Sequence, residues 1–68
     1  MEITPGQVVE VQKSNGEWIE LRAVSVQQGY DFPVVVVCDD AEWEADGPNA
    51  EGIAWPESHV REVSYAGT

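Results

Sequence analysis

Apolar and polar positions alternate along the first part of the chain, and the alternation predicts strands. From Gln7 to Gln12, Val9 and Val11 fall on one face and Val8, Glu10 and Gln12 on the other, the period of a half-buried strand. Ser14-Asn15-Gly16 follows as a hairpin signal, because Asn-Gly tolerates the positive φ angles of a tight turn. A longer strand is expected from Glu17 to about Val26, with Ile19, Leu21 and Ala23 on one face and Trp18, Glu20 and Arg22 on the other. Beyond Ala23 the phase changes at Val24 and Val26, which predicts a bulge or bend. Gln27 to Phe32 reads as a loop containing Gly29. The unbroken run Val34-Val35-Val36-Val37-Cys38, opened by Pro33, reads as a central strand covered at least in part on both faces.

The second half is less regular. Thr4-Pro5-Gly6 before the first strand and Asp39 to Gly52 after the third are read as non-strand; the latter is acidic and closes on Asp46-Gly47-Pro48-Asn49. Ala41 to Ala45 admits a short helix but offers no apolar stripe for it to bury. Ile53-Ala54-Trp55 is a short strand, Pro56 to His59 a single 3-10 turn, Val60 to Val63 a fifth strand and Ser64 to Thr68 a tail. The prediction is all-β: one five-stranded domain over residues 1–68, ordered from about 4 to 64, with a core of Val9, Val11, Ile19, Leu21, Val35, Val37, Ile53 and Val60.

Composition narrows the function. Sixty-eight residues leave no room for a second core. Thirteen acidic against three basic residues give a net charge of −10, which argues against direct binding of nucleic acid or an anionic membrane and favours a basic partner. The chain is not a disordered acidic tail, since 43% of its residues are hydrophobic and the valines sit in strand-like runs. The single cysteine, Cys38, cannot form an intrachain disulfide, and Met1-Glu2-Ile3-Thr4-Pro5 is not a secretory signal, so a cytoplasmic location is expected.

Catalytic chemistry finds no support. The only histidine is His59, next to Ser58, and neighbours on an extended chain point apart; Cys38 ends a strand expected to be buried. There is no phosphate-binding glycine loop and no Cys or His pair for zinc, so no catalytic residue, metal or cofactor is assigned. Asp39, Asp40, Glu42, Glu44, Asp46 and Glu51 form an acidic surface. Its spacing partly imitates a calcium loop, but Ala45 stands where the sharp turn needs glycine, and a solvated charged loop is the plainer reading.

Two segments carry a resemblance. Pro5-Gly6-Gln7-Val8-Val9-Glu10-Val11 with Ser14-Asn15-Gly16-Glu17-Trp18-Ile19 resembles the strand, loop and Trp-bearing strand of the SH3 fold. Ile53-Ala54-Trp55-Pro56-Glu57-Ser58-His59-Val60 resembles its closing strand, 3-10 turn and last strand. The five-strand count is closer to Tudor-like barrels, and the Trp-Pro-x-Ser-His-Val ending is similar to that of small hypothetical proteins of actinobacteria and their phages. His59 stands where peptide-binding SH3 domains carry a ligand-contacting Tyr, and the segment from Gln27 to Gly52 has no counterpart. The resemblance implies a small SH3-like barrel with a short 3-10 turn before the last strand. It also implies a groove lined by Trp18 and Pro56 with His59 at its edge.

Tyr30, Phe32 and Trp43 lie in loops able to reach the same end, and Trp55 is the remaining large aromatic. Against this stands a plain structural role, in which Trp18 and Trp55 cover the ends of a small core. The expectation is therefore a non-enzymatic interaction module that takes a basic or proline-containing protein or peptide partner in an aromatic groove. The alternatives are an acidic DNA mimic or inhibitor, such as a phage could encode, acting on a basic or DNA-binding host protein, and a homo-oligomer assembled through an open strand edge.

Overall fold

The structure, a computed structural model, describes residues 2–63. The expected tail, Ser64 to Thr68, lies outside the described residues. Five strands, β1 (Val8–Gln12), β2 (Trp18–Gln28), β3 (Pro33–Cys38), β4 (Ile53–Pro56) and β5 (Val60–Glu62), form one antiparallel sheet in the order β4-β3-β2-β1-β5. A helix, α1 (Asp40–Asp46), runs on into a 3-10 turn at Gly47–Asn49; a second 3-10 turn, Glu57–His59, links β4 to β5.

The β1–β2 turn follows its glycine rather than the Asn-Gly pair. Within the turn Gly16 alone takes a positive φ, 89°, and Asn15 does not. The Gly16 N–H donates to the Lys13 carbonyl at 2.9 Å, and the Lys13 N–H donates to the Glu17 carbonyl at 2.7 Å. This is a three-residue loop ending in a left-handed glycine, not a two-residue turn with both central residues at positive φ.

The phase change in β2 is a bulge. Ala23 pairs with Val37 and Ser25 with Val36, leaving Val24 unpaired between them. The extra residue turns Ala23 to one face of the sheet and Val24 to the other, and both are buried. The inner face gathers Val9, Val11, Ala23, Val35, Val37 and Val60, with Ile3, Ile19, Leu21 and Trp55 packed around them. The outer face buries Val24, Val36 and Cys38 together with Ala50, against Trp43. β3 is thus covered on both sides, as its unbroken valine run predicts.

Three expectations change. The sheet is not closed into a barrel: β4 pairs with β3 and β5 with β1, and the strands at the two edges do not pair with each other. Both are short, Pro56 has no N–H to give, and the 3-10 turn carries the chain from one edge to the other instead of folding β5 back onto β4. Ile53 is not core but 63% exposed, because it sits on an edge strand of the sheet. The acidic stretch contains a true helix over Asp40–Asp46, longer than the Ala41–Ala45 segment considered from sequence. Asp39 caps it, accepting the Glu42 N–H at 2.7 Å, and Trp43 supplies the one large apolar side chain that docks it on the sheet. The docking is close: at Gly6, with φ 90°, an added Cβ would lie 2.6 Å from the Trp43 ring.

Candidate functional site

The β1–β2 turn is held rigidly by its own polar groups. Besides the two backbone bonds above, the Glu17 N–H donates to Asn15 Oδ1 at 2.9 Å, and Gln12 Nε2 donates to the Gly16 carbonyl at 3.3 Å. Opposite it stands the corner where β4 runs into the 3-10 turn. Pro56 precedes that turn, and the Val60 N–H closes it on the Glu57 carbonyl. One contact ties the two together: the Trp55 indole N–H donates to the Gln12 carbonyl at 3.0 Å. This satisfies the polar edge of the indole while one side of the ring packs on the inner core.

Between turn and corner runs a groove of about 350 Å³, with Gln12, Lys13, Ser14 and Gly16 on one wall and Trp55, Pro56 and His59 on the other. Among the described residues no carboxylate lines it, and its ionisable residues are Lys13 and His59. Lys13 Nζ is paired with Glu17 Oε2 at 3.7 Å, an exposed pair of little energetic weight. On a chain of net charge −10, this is a near-neutral, partly apolar strip.

Of the seven aromatic-face residues expected from sequence, the structure gathers Trp55, Pro56 and His59 and leaves four elsewhere. Trp18 points away from the core, as its strand phase predicts, but it does not line the groove; the Arg61 guanidinium lies 3.9 Å over its ring. Tyr30 and Phe32 sit in the β2–β3 turn, at the opposite end of β2 from the β1–β2 turn, both exposed. Trp43 is on α1 and packs on the outer face of the sheet. Gln12, Lys13, Ser14 and Gly16 were not anticipated as wall residues. Their turn was legible, but its approach to β4 depends on the bend of the whole sheet.

Half of the acidic surface has structural work. Asp39 caps α1, Asp40 Oδ1 accepts from Arg22 Nε at 2.8 Å, and Glu42 Oε2 accepts from the Gly52 N–H at 3.0 Å. Glu44, Asp46 and Glu51 are exposed. Among the described residues no group of three or more His, Cys, Asp or Glu side chains is placed to hold a metal ion.

Ser58 Oγ lies 3.0 Å from His59 Nδ1, closer than an extended chain would allow, because both residues belong to the 3-10 turn. Both are exposed. The Cys38 thiol is buried at the end of β3, and its pKa is pushed up, first by burial and then by the charges of Glu42, Asp39 and Asp40, against a smaller opposing effect of Arg22. No helix among the described residues is long and apolar enough to cross a membrane. Comparison with known proteins finds no family model, no curated protein and no solved structure that matches this chain.

Proposed function

We propose that the chain is a non-enzymatic protein-interaction module that seats a proline-containing, extended segment of a partner in the groove between the β1–β2 turn and the β4 corner. The observation that carries this reading is the groove itself: the Trp55 ring fixed by its bond to the Gln12 carbonyl, with Pro56 and His59 beside it. A preformed polyproline segment loses little entropy on binding and packs well on flat, rigid rings. The lining residues also refine the partner. With Lys13 and His59 on its walls and no carboxylate, the groove suits a neutral segment better than a basic one.

The fold reading that accompanies this proposal is an SH3-like barrel that is open at its seam. The strand order, the bent β2 and the 3-10 turn before β5 support it. The non-enzymatic reading is supported by the raised pKa of the buried Cys38, which keeps the thiol protonated and a poor nucleophile. Charge mimicry of DNA is less well supported, because Asp39, Asp40 and Glu42 are committed to contacts within the fold.

The test is a titration of the full chain, followed by NMR, with a blocked, uncharged heptapeptide built on a Pro-Pro-x-Pro core. Saturable shifts are expected at the Trp55 indole, Gln12, Ser14 and Gly16. Pro56→Ala should weaken binding about tenfold, the usual effect of truncating an anchoring contact. Absence of shifts at these positions, or unchanged affinity in the Pro56 variant, would rule out the groove as the binding site.

A further inference from the structure

Trp18, Glu10 and Arg61 meet on the outer face of the sheet, on three adjacent strands. Arg61 of β5 stands opposite Glu10 of β1, and Glu10 stands opposite Glu20 of β2. The Arg61 guanidinium is held in two ways at once: its carbon lies 3.9 Å from the centre of the Trp18 ring, and its Nε donates to Glu10 Oε1 at 2.9 Å. A flat aromatic face with a carboxylate at its edge is the arrangement that recognises a guanidinium by charge and shape together.

The charges at this place do not balance. Glu20 is exposed, directly across the ladder from Glu10, and among the described residues has no cation partner, so two carboxylates face each other and the one guanidinium beside them pairs with Glu10. Like charges in direct cross-strand positions repel. The remaining cations are engaged elsewhere, Lys13 with Glu17 and Arg22 with Asp40. Nor is Arg61 held firmly, since its side chain is 53% exposed and β5 is a three-residue strand at the edge of the sheet. Exposed ion pairs of this kind contribute little and exchange readily.

We propose that Trp18, Glu10 and Glu20 form a guanidinium-binding subsite that Arg61 of the same chain occupies in the free protein, and that an arginine side chain of a basic partner displaces it. The incoming guanidinium stacks on Trp18 and pairs with the two carboxylates, neutralising the charge that Arg61 leaves over. The net charge of −10 steers such a partner toward the molecule. Arg61 is then an internal competitor that weakens binding, not a residue that assists it. The subsite does not depend on the groove, and its test uses peptides without proline.

The probe is a blocked Gly-Arg-Gly-Arg-Gly peptide, with the citrulline counterpart as the uncharged control, titrated into the full chain and followed by NMR. The arginine peptide should shift the Trp18 indole N–H and the Glu20 amide saturably, and the citrulline peptide should not. Arg61→Ala should tighten arginine-peptide binding about threefold or more, the scale of one exposed ion pair with its stacking contact. Glu20→Gln, which removes no contact within the fold, should weaken it by a similar factor. Shifts centred on residues 39–46 instead of Trp18, or an Arg61 variant that binds equally or less well, would overturn the proposal. If Arg61→Ala does not fold, the Glu20 variant decides, and unchanged affinity there overturns it equally.

Discussion

The two faces of the sheet are buried by different means. On the inner face, residues from four strands, among them Val9, Val11, Ala23, Val35, Val37 and Val60, meet one another directly. On the outer face, Val24, Val36 and Cys38 come from two adjacent strands only, and they are covered by Ala50 and by Trp43 on a seven-residue helix. The inner cluster is a product of sheet curvature and strand pairing, so it forms only when the whole sheet forms. The outer cluster lies under a lid, a helix capped by Asp39 and attached to the sheet through one indole and the Arg22–Asp40 pair. The same alternation that fills one face leaves the other dependent on a separate, weakly helical segment. A 68-residue chain with so little core has reason to use both.

On this contrast, damage to the inner face should be global and damage to the outer face local. The largest effect is expected for Val35→Asp. Val35 is fully buried at the centre of the inner cluster, and an unpaired carboxylate there has neither water nor a cation. The variant should show no cooperative thermal transition and a collapsed amide spectrum; a folded variant would mean that the inner face is wet or loosely packed.

Trp43→Ala should cost less, about 2 kcal/mol, because the indole is only partly buried. It should open one face selectively. Cys38 lies under this lid, so its reaction with a thiol reagent should accelerate in the variant while the inner-face amides keep their protection from exchange. The raised thiol pKa adds a direction. In the unfolded chain Cys38 ionises at its ordinary value, whereas in the folded chain it resists ionisation, so its contribution to stability is complete below the unfolded pKa. That contribution is lost as pH rises from the ordinary thiol value through the folded one. Alkaline melts should therefore show a loss that Cys38→Ala abolishes; an identical pH dependence in the variant would remove Cys38 as its source.

The sequence carried the inner face well because a strand's side-chain period is two and does not depend on context: Val9 and Val11 follow from spacing alone. The bulge at Val24 was also legible, since two consecutive apolar residues after a strict alternation must break phase. The lid was harder. Its helix has a single large apolar residue and no stripe, so periodicity gave no signal, although Asp39 followed three positions later by Glu42 is a capping pattern that marks the start. The site was legible only in part for a similar reason. Pro56 and His59 are local to one turn, but the wall facing them comes from Gln12 to Gly16, some forty residues earlier. The bond between Trp55 and Gln12 depends on sheet curvature, which no local pattern encodes.

The smallest expected effect tests where the inner face ends. By alternation Ile53 and Trp55 share one side of β4, and the sequence reading places Ile53 in the core. Trp55 does pack there, whereas Ile53 is 63% exposed, although it pairs with Val37, which is fully buried. The difference lies in what stands beyond the edge strand. At Trp55 the end of β1 and the turn after it close over the sheet and Gln12 supplies a hydrogen-bond partner; at Ile53, among the described residues, no further strand pairs beyond β4. Hydrophobic stabilisation scales with the area removed from water, so a side chain left mostly in solvent contributes little of it. Ile53→Ser should therefore shift stability by about 0.5 kcal/mol or less, the range of ordinary surface substitutions. A chemical melt of the variant against the parent measures this directly. A loss of about 2 kcal/mol or more would place Ile53 in a buried contact, through a seam closed between β4 and β5 or through a second copy of the chain. Repeating the melt at tenfold lower protein concentration separates these outcomes, since only the loss of an intermolecular contact depends on concentration.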